Sequence, residues 1–343
     1  MRVGRIAVVA VALLTMAASA AAQAKTDVVT LQNGDRITGE IKSLSRGRLK
    51  LETDDAGTID IEWDNVLEVS AIRQFDVMTV DGRLLLGSLG RVAPRTVIIG
   101  AGPSAVTLPM AQITNLTPIG ASFWAKLEGT VSAGFSYTQS SGITQTTFNS
   151  ETEYRRPAST VRLTGSATIT TQEDHEDDDR ASAGLSYSRY RGNKWFVSGA
   201  GRFENNQSLG LVLRSQVGGL IGQRLLRSNR GEFQVGGGIV ANNEQSVDSG
   251  TTQNVEAIVA AQASYYTYDG RKTMLDISAN YYPSLSQAGR HRLQLDSSLN
   301  RDLVKDLVVS LSFYVTFDSD PPQEGAARTD VGIVTSIGWS FGG

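Results

Sequence analysis

Leu307-Val308-Val309-Ser310-Leu311-Ser312-Phe313-Tyr314-Val315-Thr316-Phe317 is the stretch that decides the fold. Its odd positions are all apolar, while its even positions carry Ser310, Ser312, Tyr314 and Thr316 beside Val308. Side chains on a strand alternate between faces, so the segment has one greasy wall and one mostly polar wall. Working outward, the same alternation recurs from Trp124 to the closing Trp339-Ser340-Phe341. It predicts about twelve strands, at 124–138, 147–155, 160–170, 180–190, 195–204, 213–225, 232–240, 254–266, 273–282, 290–300, 307–317 and 331–341. A closed barrel can cross a lipid layer without any long apolar run, because its ladder satisfies every backbone group.

The connections support this reading. Those after odd-numbered strands are generally the longer ones, including 172–179, 242–253 and 318–330. Those after even-numbered strands, such as 191–194 and 267–272, are mostly short. Outer-membrane barrels pair short periplasmic turns with longer outer loops, and an even strand count puts both ends in the periplasm. Aromatic residues fall at both strand ends, as interfacial belts require. Trp124, Tyr154, Tyr187, Trp195, Tyr265, Trp339 and Phe341 mark the periplasmic side, and Phe135, Tyr137, Phe203, Tyr281 and Phe317 the outer side. A soluble β-sandwich would alternate too, but would need neither belts nor loop asymmetry.

Bulk properties are consistent. Hydrophobic content is 40 % and mean hydropathy is −0.15, values a polar-lined barrel shares with soluble proteins. With no cysteine in the chain, disulfides, thiolate metal sites and thiol nucleophiles drop out. Arg2 and Arg5, an apolar stretch from Ile6 to Leu14 and the close Ala22-Gln23-Ala24 read as an export signal spanning 1–24. The formal charge of −3 gives no electrostatic footprint for nucleic acid.

Residues 25–120 are a different material, built on an internal repeat of about 48 residues. One copy opens at Asp27 and turns at Asn33-Gly34; the other opens at Asp76 and turns at Asp81-Gly82. Each second strand is interrupted by a glycine, Gly39 or Gly87. Asn-Gly and Asp-Gly supply hairpin turns, and a strand glycine marks a bend or close approach. Five short strands per copy predict a tandem of small Sm- or SH3-like barrels packed side by side. Pro118 and Gly120 mark the boundary with the large barrel over 121–343. Ten Lys/Arg against twelve Asp/Glu argue against RNA and for a periplasmic packing or protein-contact domain.

Asn33-Gly-Asp-Arg-Ile-Thr-Gly39 and Ile61-Glu-Trp63, together with the segment from Arg202-Phe203-Glu204 through Leu211-Val-Leu-Arg214-Ser215 to Gly222-Gln-Arg224-Leu225, resemble the YdiY-like, salt-stress-induced outer-membrane proteins. The resemblance covers most of the chain and rests on structural glycines and strand patterns. It implies an all-β fold and the outer membrane, and it transfers no site residues. Lipid and lipopolysaccharide, the barrel-assembly machinery and, through 25–120, peptidoglycan or a periplasmic protein are the expected partners.

Candidate lumen residues lie on the face opposite the apolar one. The basic ones are Lys126, Arg162, Arg180, Arg202, Arg214, Arg224 and Arg292. The acidic ones are Glu128, Glu151, Glu153, Glu204, Glu232, Glu256, Asp276 and Asp296. A selective channel usually carries a one-sided ring of charge. A near-balanced interior fits either interlocking ion pairs that fill a narrow barrel or a small pore, and both stay open at this point. No cofactor, metal or catalytic residue is expected. The acidic run 173–179 reads as a solvated outer loop and matches no Ca²⁺ motif. His291 is expected at the outer rim facing lipid, but lipid A acyl hydrolysis would need a nucleophile and an oriented base, and the position two residues on is Leu293. The expected function, in line with the resemblance, is a non-enzymatic envelope barrel, either a narrow pore for small solutes or a structural barrel linked to osmotic or salt stress. A lipid-modifying enzyme and an adaptor that anchors a periplasmic partner are the alternatives.

Overall fold

A computed structural model describes residues 25–138, 143–171, 178–191, 194–246, 250–268, 271–304, 306–321 and 326–341. The expected export signal over 1–24, most of the acidic run and the side chain of Tyr137 lie outside the described residues.

The N-terminal part is a nine-stranded sheet. Its first repeat supplies β1 (Asp27–Leu31), β2 (Arg36–Ser45), β3 (Arg48–Glu52) and β4 (Thr58–Glu62). A long β5 (Val66–Thr79) joins the copies, and the second adds β6 (Leu84–Ala93), β7 (Thr96–Ile99), β8 (Val106–Pro109) and β9 (Ile113–Pro118). The hairpin turns use Gly34 and Gly82 at φ +93° and +83°, a conformation glycine adopts without strain. Gly39 and Gly87 mark close approaches, since a Cβ there would collide with Glu52 and Gly100 respectively.

The expected tandem is corrected in one respect. The copies do not form two separate barrels; β1, β2, β9 and β5 close into one small four-stranded ring. The first half of β5 pairs with β1, at Val28↔Ser70, and its second half pairs with β6, at Phe75↔Gly87. Closure is then exchanged. The first copy's β2 meets the second copy's β9 at Leu44↔Leu116, and the second copy's β6 meets the first half of β5 at Ala71↔Leu89. A single core runs through both copies, joining Val29, Ile41, Leu49 and Trp63 to Phe75, Val97, Met110 and Leu116. Trp63 Nε1 donates to the Met110 carbonyl at 2.8 Å. A unit of this size buries too little apolar surface by itself, and sharing a core remedies that.

The C-terminal part is a closed barrel of twelve antiparallel strands. They are β10 (Leu127–Thr138), β11 (Ile143–Arg156), β12 (Ser159–Thr171), β13 (Asp178–Tyr190), β14 (Trp195–Asn206) and β15 (Leu211–Arg227). The second half comprises β16 (Gly231–Ser246), β17 (Gly250–Thr267), β18 (Thr273–Pro283), β19 (His291–Val304), β20 (Leu307–Asp318) and β21 (Thr329–Phe341). Closure runs from Gly129↔Phe341 to Ala133↔Ile337. Several sequence boundaries shift: β11 and β17 each begin four residues early, at Ile143 and Gly250, and β19 runs on to Val304. Trp124 belongs to a 3-10 turn, Trp124–Lys126, ahead of the first strand. Asn242–Ser246, read as loop for its polarity, continues β16, because its even residues point into a polar interior rather than into water.

The outer face is apolar. Leu163, Leu185, Val197, Val217, Ile239, Val259, Ile333 and Ile337 are all more than half exposed. Trp195, Tyr187, Tyr265 and Trp339 are exposed at the end with short connections, and Phe135, Phe203 and Tyr281 at the other. No described helix is long and apolar enough to cross a membrane. A polar-lined closed barrel with an apolar exterior has the architecture of an outer-membrane barrel.

Trp63→Ala should cost about 3–5 kcal/mol, because it empties the shared core and removes the indole bond between the copies. Denaturant unfolding of the small domain within the full-length protein in detergent would report this. A loss under about 1 kcal/mol would contradict the single-core description.

Candidate functional site

The barrel lumen falls into two zones. In the half away from the small domain, side chains from opposite walls meet. Arg214 on β15 lies 2.8 Å from Glu244, 3.6 Å from Glu204 and 3.4 Å from Asp318 on β20. Arg290 contacts the same Glu244 and Asp318 at 2.8 and 2.7 Å. Arg292 grips Glu256 with Nε at 2.8 Å, and its guanidinium lies 4.7 Å from the Tyr282 ring centre. Gln294 on β19 reaches Glu204 on β14, while Arg180 on β13 and Asn206 on β14 share Asp330 on β21. Glu204, Arg214, Glu244, Glu256, Arg290, Arg292 and Asp318 are each no more than 5 % exposed. Below them Val240, Ile258 and Tyr282 make a small apolar cluster inside the lumen. Groups that would be wet in an open channel are packed here.

The other half is a chamber of about 680 Å³ that reaches the short-turn mouth. Its ion pairs line the wall. Arg155 lies 2.7 Å from Glu153 and 3.3 Å from Glu128, and Arg162 lies 3.1 Å from Glu153 and 3.4 Å from Glu151. The small domain covers part of the mouth. Arg46, in the turn after β2 at φ +52°, reaches in to Glu128 at 3.2 Å. Its own carbonyl accepts from Tyr268 OH at 2.5 Å. Burial works against the Arg46 charge, but Glu128, Tyr266 and Glu153 together outweigh it and hold the guanidinium more firmly protonated than usual. Lys50 and Lys272, beside the same opening, are pushed below the ordinary lysine range, by burial first and by Arg48 as well. Asn229 and Arg227 in turn bond Ile113 O and Asn115 Oδ1 of the small domain, at 2.9 and 2.7 Å. Arg95, the counterpart of Arg46 in the second copy, turns inward instead and donates to the carbonyls of Trp63 and Val66.

The structure places the sequence candidates as follows. Glu204, Arg214, Glu256 and Arg292 sit in the packed half. Arg180 sits at its edge against Tyr314, with its guanidinium 4.0 Å from the ring centre. Lys126, Glu128, Glu151, Glu153, Arg162, Arg202, Arg224, Glu232, Asp276 and Asp296 border the chamber. Sequence reasoning missed Glu244, Arg290, Asp318 and Asp330. Each lies at or just beyond a strand end set by the apolar pattern, although continued period two would have found Glu244, Asp318 and Asp330. Arg46 carried no such signal, because a turn arginine in a separate sheet gives no hint of its partner. His291 packs between the rings of Tyr281 and Phe317, at centroid distances of 6.2 and 5.7 Å. Ser319 Oγ accepts from the backbone N–H of His291, not from its ring.

The family model described as "Protein of unknown function, DUF481" matches residues 131–341. The chain belongs to the DUF481 family. In this family member the matched span covers nearly the whole barrel and stops short of the nine-stranded sheet. No curated protein matches the sequence. Among solved structures, a bacterial polysaccharide outer membrane secretin is similar at 8 % identity and a TM-score of 0.33, covering 64 % of this chain and 99 % of its own. The beta domain of the Bordetella autotransporter Brka is similar at 10 % identity and a TM-score of 0.30, covering 63 % and 98 %. Neither likeness bears on what the DUF481 chain does.

Arg214→Ala would leave the buried Glu204, Glu244 and Asp318 short of a counter-charge. A destabilisation of about 3–5 kcal/mol is expected, since removing one partner strands the other charges. Equilibrium urea unfolding of the barrel in lipid vesicles measures it. Stability unchanged within about 0.5 kcal/mol would mean that the network is hydrated.

Proposed function

We propose that this chain is an outer-membrane barrel that passes no solute in the conformation described, and that it serves to hold the small domain at the periplasmic face. The observation that carries the reading is the set of charged bridges across the outer half of the lumen, buried where a pore would be wet. The apolar exterior with rings at both ends supports the membrane location. The reading is non-enzymatic. Its implied role is adaptor-like, with exposed Ile72 and Leu86 and the edge strands β4 and β8 of the small domain open to a periplasmic partner. The chamber favours a second reading, a narrow pore that opens when the outer network rearranges.

Planar-bilayer recording decides between them. Silence is expected from the mature protein and from a form lacking 25–120, and discrete steps from Arg214→Ala combined with Arg290→Ala. Steps in the unaltered protein would overturn the closed-barrel reading in favour of the pore.

Orientation has its own test, helped by the absence of native cysteine. On intact cells, an impermeant maleimide should label Gln207→Cys, in the connection between β14 and β15, and spare Lys194→Cys at the short-turn end. The reverse pattern would invert the barrel.

A further inference from the structure

The rim where the small domain meets the barrel holds a second cleft, of about 890 Å³, outside the lumen. One wall is the tip of the β5–β6 hairpin and the other is the short-turn end of β13, β14 and β15. The sequence Arg224-Leu225-Leu226-Arg227 forms the floor. A register shift between Arg224 and Leu226 breaks the alternation there. Such bulges re-aim side chains. Here Leu225 and Leu226 are both turned outward, 46 % and 55 % exposed, beside Trp195 at 48 % and opposite Leu84 at 47 %. This apolar wall continues the exterior band of the barrel.

The polar side of the same cleft is cationic. Arg191 and Lys194 stand exposed at the turn and form no ion pair among the described residues. Arg224 and Arg227 border the cleft from the lumen side, with side chains only 12 % and 8 % exposed. Their Nε atoms lie 4.0 and 3.9 Å from Glu232, beyond hydrogen-bond reach, and have no other partner among the described residues. The acid within the cleft, Asp81, is engaged by Arg83 at 2.7 Å. Thr79 and Arg83 hold the Asp81 carboxyl below the ordinary range, so it stays charged and paired. Two exposed cations, Arg191 and Lys194, backed by two buried arginines, thus border leucines facing the exterior.

From this we infer that the cleft binds one anionic phospholipid of the periplasmic leaflet, its phosphate against the Arg191, Lys194, Arg224 and Arg227 side and its acyl chains along Leu225, Leu226 and Trp195. The inference rests on the membrane location proposed above. Charge complementarity selects an anionic headgroup, because basic pockets at the level of the headgroups collect such lipids. Continuity with the exterior band selects a lipid over a soluble phosphate, which would leave the leucines bare. Bound there, the lipid touches both barrel and small domain and ties the two at the leaflet.

The test is native mass spectrometry of the full mature protein released from detergent, titrated with dioleoylphosphatidylglycerol, dioleoylphosphatidylcholine or inorganic phosphate. One phosphatidylglycerol adduct should be retained in preference to phosphatidylcholine. Arg191→Gln with Lys194→Gln should weaken it by about tenfold or more, since each cation near an anionic lipid is worth about fivefold. Both residues are exposed, so the barrel should still fold, as heat-modifiable gel migration will show. Leu225→Ser with Leu226→Ser should weaken it as well. Equal retention of the two lipids, or unchanged binding in the arginine–lysine variant, would sink the proposal. Displacement of the adduct by inorganic phosphate would overturn the assignment to lipid. A protein that stays folded and dispersed without detergent would instead refute the membrane location itself.

Discussion

Every backbone N–H and C=O that enters a hydrocarbon layer must find its partner inside the protein. The rest of this structure follows from that requirement. It forces closure of β10 onto β21, and closure fixes which side chains face outward. With period two, one decision at one position propagates along each strand. The apolar exterior, the aromatic rings at both ends and the polar interior are therefore one consequence read three ways.

A polar interior has to be filled or flooded, and this barrel uses both solutions. The half away from the small domain is packed and carries buried charge, which is costly unless the ions are paired. Arg214 and Arg290 share the Glu244 and Asp318 carboxylates, and Arg292 is paired with Glu256 alone. Planar guanidinium groups suit such multiple contacts better than ammonium groups. Lysine is accordingly absent from the described members of this network. The half next to the small domain remains a chamber, and the ion pairs along its wall leave space between them. The boundary between the two zones is set by side-chain volume, with Tyr282, Val240 and Ile258 marking it.

The barrel was legible because period-two patterning is a local signal repeated many times. Leu307–Asp318 alone shows both faces, and its register with β19 and β21 follows the same alternation. Strand ends were less legible, since Asn242 and Glu244 look like loop residues until an interior is available to receive them. The candidate site was half visible. Alternation could say that Arg214 points inward, but not that it faces Asp318 across the lumen, because that pairing depends on barrel diameter and stagger. Pairings between the two parts of the chain, such as Arg46 with Glu128, have no periodic signature. Likewise the repeat disclosed two related units, whereas their exchange of strands depends on which apolar faces need covering.

That exchange reaches beyond packing. The second strand of each copy is completed by the fifth strand of the other, and the two junctions, Leu44↔Leu116 and Ala71↔Leu89, are related reciprocally. Reciprocal contacts of this kind are the mark of an isologous two-fold interface. A shorter chain carrying one copy could complete its ring only against a second molecule of itself. The small domain thus has the geometry of a homodimer written into one polypeptide, with β5 as the continuous strand that joins the two halves. Its pseudo-symmetry is broken where it meets the barrel: of two equivalent turn arginines, Arg95 bonds carbonyls of its own domain and Arg46 reaches the neighbouring barrel.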